Sequence, residues 1–120
     1  MESGDVNSLG YEKSKRLAIR IVKLYTYLRD QKKEYVLSKQ LLKSGTSIGA
    51  NLAEAKCGIS RADFLSKVYI ALKETMETLY WLELLHETDY LTDEQFFSIH
   101  RDVEELRRIL SATTKTMQNG

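Results

Sequence analysis

SKQLLKSGTSIGANLAEAKCG, running from Ser38 to Gly58, is the stretch that decides how this chain folds. Gly45, Gly49 and Ala53 follow one another at four-residue spacing and so share one edge of a helix. Leu41, Ile48, Leu52 and Ala55 lie beside that edge, with the polar Gln40, Ser47, Asn51 and Glu54 beyond it. An internal glycine costs a helix up to about 1 kcal/mol against alanine, so a helix with a pair of them draws its stability from packing. The small edge lets a neighbouring helix approach closely.

Working outward, the rest of the chain is helical too. Its 120 residues suit one domain, and there is no proline to interrupt a helix. Residues 1–10 lack a periodic apolar face and read as a flexible tail; residues 11–120 read as the folded domain. The apolar period predicts helices over about residues 11–33, 36–57, 60–87 and 92–118. Leu17, Ile21, Leu24 and Leu28, widened by Ala18, Val22 and Tyr25, form the inner stripe of the first. The second ends at Gly58, placed for a left-handed stop. The third opens with a Ser60 cap, and its seam is Leu65, Val68, Leu72, Met76, Leu79 and Leu82. The fourth opens with a capping box, Thr92 and Gln95, ahead of a seam at Phe96, Ile99, Val103, Leu106, Leu110, Thr113 and Met117. Short links between long helices predict an all-α, antiparallel up-down-up-down four-helix bundle.

Several function classes recede. No apolar run approaches the roughly 18 residues that span a bilayer, and MESGDVNSLG does not read as a signal peptide. A lone cysteine, Cys57, precludes an internal disulfide framework and fits a reducing, cytoplasmic setting. Glu83-Leu84-Leu85-His86 matches half of a di-iron bundle motif, but the only other histidine, His100, has Phe97 where the second glutamate belongs. Cys57 sits at a helix C-terminus, the wrong end to stabilise a thiolate. Glu74 and Glu77 resemble an acid–base pair without a pocket-forming loop. The expectation is no enzyme, no metal and no cofactor.

Charge is unevenly placed. Residues 1–61 hold 12 Lys/Arg against 6 Asp/Glu, and residues 62–120 hold 6 against 11, so a net of +6 faces a net of −5. Lys13, Arg16, Arg20 and Lys23 align on one side of the first helix, Tyr27 continues the row, and Lys39 and Lys43 add to the basic half. Such a stripe is either a solvated helix face or an anion-binding surface. On the third helix Tyr69, Ile70, Tyr80, Trp81, Leu84 and Leu85 carry apolar character beyond one stripe, which predicts burial against another copy. Ser47, Asn51 and Glu54 share a face at the edge of the apolar stripe, where a hydrogen-bonded cluster fixes register, with Lys73, Glu74 or Glu77 as partners.

The run SGTSIGANLAEA (Ser44 to Ala55), with DFLSK (Asp63 to Lys67) and IALKETMETLYWL (Ile70 to Leu82), resembles four-helix-bundle proteins encoded in intervening sequences of bacterial 23S ribosomal RNA genes. The superfamily also looks like the accessory variability proteins of diversity-generating retroelements. The resemblance implies a bundle that closes into a ring, typically a homopentamer. In the retroelement branch it implies a basic ring surface that engages nucleic acid and a reverse transcriptase. It carries over no catalytic residue. Two functions follow. One is a non-enzymatic oligomeric accessory that binds RNA or DNA through Lys13, Arg16, Arg20, Lys23, Lys39 and Lys43. The other is a structural or adaptor ring with no nucleic-acid role, in which the charge split joins neighbouring subunits.

Overall fold

The computed structural model describes residues 3–119, with four α-helices and no strand among the described residues. They are α1 (Ser3–Asp30), α2 (Leu37–Ala55), α3 (Arg61–Glu87) and α4 (Asp93–Asn119). The last three begin and end within a few residues of the sequence periodicity. The backbone of α1 is helical from Ser3, ahead of Tyr11 where the apolar period starts; of the expected tail, Met1 and Glu2 lie outside the described residues. Without a proline, nothing there forbids helical backbone, and Gly4 and Gly10 only weaken it.

The helices form a four-helix bundle measuring 45 × 21 × 18 Å. Among the described residues α1 lies beside α2, α2 beside α3, α3 beside α4 and α4 beside α1, while the diagonal pairs face each other only across the shared core. The glycines of α2 set the closest approach. A Cβ at Gly45 would stand 2.9 Å from both Cγ1 and Cγ2 of Ile21, and one at Gly49 would stand 3.0 Å from the Ser14 hydroxyl. Ala53 does not continue this contact; it lines an open hollow with Cys57, Ile59 and Lys67 at the α2–α3 end.

The buried side of α3 corrects the expected seam. Val68, Ala71, Thr75, Thr78, Leu79, Leu82 and Leu85 are buried, so Val68, Leu79 and Leu82 of the expected seam hold while Leu65 and Leu72 are only partly buried. Met76, placed in the seam by its apolarity, is 51 % exposed, and Leu85, placed outside it, is fully buried. Two threonines are tolerated because each hydroxyl is bonded: Thr75 donates to the Ala71 carbonyl, and Thr78 donates to the Glu74 carbonyl and lies 2.9 Å from the Ser44 hydroxyl on α2. The α4 seam follows the sequence through Phe96, Ile99, Val103, Leu106 and Leu110, all buried; beyond them Thr114 is buried, while the expected Thr113 and Met117 are only partly so. On α1, Leu17, Ile21 and Leu28 are buried, whereas Val22 is turned outward.

The helix ends follow sequence chemistry with exceptions. Ser60 accepts from the Asp63 N–H at 3.1 Å, and Thr92 and Gln95 exchange the two bonds of a capping box at 3.1 and 2.9 Å. Gly58 is not left-handed; it sits where a Cβ would crowd the Ala55 carbonyl, Asp63 and Phe64 at 3.2 Å, so it allows close packing. Among the described residues the left-handed ones are Lys33 (φ 58°) and Asp89 (φ 70°). Asp89 ends α3 in a Schellman arrangement, with Tyr90 N–H donating to the Leu85 carbonyl and Asp89 N–H to the His86 carbonyl. At the start of α2 the Glu34 carboxylate accepts from the N–H groups of Val36, Leu37 and Ser38.

Candidate functional site

The basic row of α1 does not stand free. Lys13 Nζ lies 3.0 Å from Glu105, and Arg20 pairs with Asp102 while its other guanidinium nitrogen donates to the Ser98 hydroxyl at 3.0 Å. Both partners project from α4, so the α1–α4 seam joins the basic half of the chain to the acidic half. Exposed pairs of this kind contribute only tenths of a kcal/mol to about 1 each, so they orient charge more than they stabilise. Arg16 and Lys23 are exposed and make no ion pair among the described residues. An open groove beside them is lined by Arg20, Lys23, Leu24, Tyr27, Glu94 and Ser98. Lys39 and Lys43 are exposed on α2, which lies diagonally across the bundle from α4, so they stand apart from the Lys13–Arg20 seam.

The polar cluster of α2 finds partners other than those expected. Ser47 Oγ donates to the Lys43 carbonyl at 2.7 Å, and Asn51 Nδ2 donates to the Ser47 carbonyl at 2.9 Å. Glu54 pairs with Lys67, 2.6 Å away across α2 and α3. Neither Lys73, Glu74 nor Glu77 is involved. They lie further along α3, opposite the middle of α2, where Ser44 meets Thr78. Glu77 instead accepts from Trp81 Nε1 at 3.0 Å, along its own helix.

The outward side of α3 mixes apolar side chains with Lys73, Glu77, Glu83 and Glu87. Tyr69, Ile70, Met76 and Tyr80 are between 37 and 56 % exposed. Trp81 is half-buried against the core, and Tyr80 meets it edge-on with ring centroids 5.0 Å apart. This face was signalled by the surplus of apolar residues on α3; its exact membership was not, because Met76 and Leu85 exchange places.

Glu83 and His86 do not act together. His86 stacks on Phe96 with centroids 4.2 Å apart and reaches Asp93 at 2.7 Å, while Glu83 faces His100 at 3.8 Å. Among the described residues no three His, Cys, Asp or Glu side chains gather as a metal ion needs. Cys57 is exposed. An enclosed hollow between α1, α2, α3 and α4, lined by Gly10, Leu52, Phe64 and Leu110, holds about 10 Å³, room for one water at most. No helix is long and apolar enough to cross a membrane among the described residues. Beside the α1 terminus, Arg29 holds the Asp30 carboxyl below the ordinary carboxylate range through a 2.7 Å hydrogen bond.

Comparison with known proteins places these features in context. The family profile described as 23S rRNA-intervening sequence protein matches residues 7–112. The chain is also similar to a crystal structure from Bacteroides thetaiotaomicron, described as a protein with unknown function from the S23 ribosomal protein family. The two share 51 % identity at a TM-score of 0.90, over 92 % of this chain and 98 % of that one. No functionally curated protein matches the chain significantly.

Proposed function

The chain belongs to the 23S rRNA-intervening sequence protein family, and from that premise we propose that it is a non-enzymatic scaffold that assembles with copies of itself and offers basic side chains to nucleic acid. The observation that carries this reading is the outward face of α3, where Tyr69, Ile70, Met76 and Tyr80 lie open to water. Several large apolar side chains left exposed on one helix face mark an interaction site. The bundle is read as antiparallel, up-down-up-down, because contacts pair falling numbers with rising ones: Ile21 with Gly45 and Ser14 with Gly49, then Ser44 with Thr78 and Glu54 with Lys67. A closed ring, with a pentamer favoured, repeats one interface without leaving a face bare.

Nucleic acid meets the cations that α4 leaves unpaired: Arg16 and Lys23 on α1, Lys39 and Lys43 on α2. Repetition around a ring multiplies contacts that are weak singly. Each phosphate contact on a duplex contributes about −0.9 to the slope of log affinity against log salt. Replacing these four residues by glutamine lowers that slope; replacing Lys13 and Arg20, already paired with carboxylates, lowers it less. Fluorescence anisotropy with a labelled oligonucleotide across a salt series reads both. A monomer by light scattering, or binding indifferent to salt and to all six substitutions, would overturn the reading.

The Lys13–Glu105 and Arg20–Asp102 pairs favour an alternative, an adaptor ring that docks a protein and leaves nucleic acid to its partner, such as a reverse transcriptase. Under it, wild-type protein is oligomeric yet binds no oligonucleotide at low salt. Both readings place the protein in the cytoplasm.

A further inference from the structure

We infer that the open groove between α1 and α4 is a pocket for one unpaired nucleotide of a single-stranded nucleic acid. This deepens the nucleic-acid reading above and rests on it: that reading names exposed cations, and the groove adds a place for a base.

The groove holds about 570 Å³, within the roughly 300–1,000 Å³ of small-molecule sites. Leu24 and buried Ile99 give it an apolar floor, and Tyr27, partly buried against the core, gives it an aromatic wall. Lys23 lines it from α1 and Glu94 from α4, and neither makes an ion pair among the described residues. Of the other carboxylates near it on these two helices, Asp102 is held by Arg20, Glu105 by Lys13 and Asp30 by Arg29, while Asp93 is hydrogen-bonded to His86. A free cation and a free carboxylate on opposite walls fit a ligand that is anionic at one end and flat, with N–H donors, at the other.

A nucleotide is such a ligand. Neighbouring helices stand about 8–10 Å apart, a gap that a nucleotide bridges from its phosphate to its base edge. The phosphate meets Lys23, the base stacks on Tyr27, a contact open to every base, and the Watson–Crick edge meets Glu94 and Gln95. Each of the four bases carries on that edge an N–H donor for the carboxylate and an acceptor for an amide. The Gln95 carbonyl accepts from the Thr92 N–H at 2.9 Å, which leaves its amide N–H groups to donate. In a duplex the same edge is engaged by the opposite strand, so the groove selects unpaired bases. A free nucleotide shares this chemistry, but exposed Arg16 favours a strand: it lies seven residues from Lys23 on the same row, about 10 Å away, where neighbouring phosphates run.

The test follows the anisotropy of one labelled oligonucleotide, as a single strand and as a duplex, with the full-length protein at matched salt. Wild type binds the single strand more tightly. Tyr27→Leu weakens single-strand binding by about tenfold without changing its salt slope, because no phosphate contact is lost, and Tyr27→Phe restores it. Lys23→Gln lowers that slope by about 0.7. Glu94→Ala narrows the preference for single strand over duplex. Helical circular dichroism checks that each variant folds. Equal affinity for the two forms, or a Tyr27→Leu protein that binds the single strand like wild type, overturns the groove while leaving the basic side chains as the nucleic-acid surface. Cytidine monophosphate bound by wild type and not by Tyr27→Leu, in a protein that ignores the strand, assigns the groove to free nucleotides and overturns the strand. A protein that binds neither form at low salt and no mononucleotide overturns the nucleic-acid reading and this inference with it.

Discussion

Replacing Gly45 by alanine pits helix propensity against packing, and the structure decides the sign. Propensity alone favours the substitution by up to about 1 kcal/mol in a helix interior. The new Cβ, however, meets Cγ1 and Cγ2 of Ile21 at 2.9 Å and Cδ1 at 3.2 Å. Ile21 is wholly buried, and a β-branched side chain on a helix has one strongly preferred rotamer, so it has nowhere to move. Forcing a methyl into such a core costs about 1–3 kcal/mol, which, set against the propensity gain, leaves Gly45→Ala destabilised by up to about 2 kcal/mol. Gly49→Ala meets only the Ser14 hydroxyl at 3.0 Å, with the next atoms at 3.6 Å and beyond, so its expected change lies near zero or slightly favourable. Urea unfolding at one fixed protein concentration measures both, since self-association makes stability concentration-dependent. The double variant Gly45→Ala, Ile21→Ala sharpens the test: removing the Ile21 branches deletes the obstacle, so the two losses sum to less than their separate values. A Gly45→Ala protein at least as stable as wild type, or strictly additive losses, would refute the claim that Ile21 sets the α1–α2 distance.

Glu34→Ala removes the acceptor for three N–H groups at the start of α2, and Glu34 is only 7 % exposed, so a loss of about 1–2 kcal/mol is expected in the same unfolding assay. Glu34→Gln, which keeps one acceptor, loses less; unchanged stability in both would show that water replaces the cap. The Asp30 carboxyl titrates below the ordinary aspartate value in an NMR pH series and returns toward it in Arg29→Gln. Its folded-state pKa is depressed, so any stabilisation by the pair is present above the ordinary carboxylate range and fades as pH falls through the lowered value. Both groups are fully exposed, so the unfolding midpoint itself stays almost unmoved.

Much of the fold was legible because helix periodicity is a local property. The spacing of Leu41, Ile48, Leu52 and Ala55 marks the inner face of α2 whatever the rest of the chain does, and Thr92 with Gln95 announces the start of α4 from four residues. What escaped the sequence depended on contacts between distant segments. Thr75 and Thr78 belong to the α3 seam because their hydroxyls find bonds along α3 and, for Thr78, across to Ser44 on α2; apolarity alone ranks Met76 above them. Gly58 resembles a left-handed stop because glycine usually serves there, yet Asp89 takes that conformation at the end of α3 and Gly58 serves the close α2–α3 turn. Glu34 falls in a polar linker by sequence, since an N-terminal cap supplied from outside the usual serine or threonine set leaves little local signal.

The charge split shows why function was harder to read than fold. Taken as totals, a net of +6 on residues 1–61 and −5 on residues 62–120 suggests an invitation to an outside partner. Closing the bundle brings α1 beside α4, and Lys13 and Arg20 meet Glu105 and Asp102 across more than 80 residues of chain. Part of the asymmetry is therefore consumed inside the protomer, and charges on other faces remain to act outward, among them Lys15, Arg16 and Lys23 on α1, Lys39 and Lys43 on α2, and Glu77, Glu83 and Glu87 on α3. Sequence totals cannot make that separation, because it depends on which helix closes the ring of four. Once it is made, Lys15 and Lys23 fall beside exposed Ile19 and Val22 on α1, and Glu77 and Glu83 beside exposed Met76 and Tyr80 on α3, surfaces turned away from the bundle's own seams.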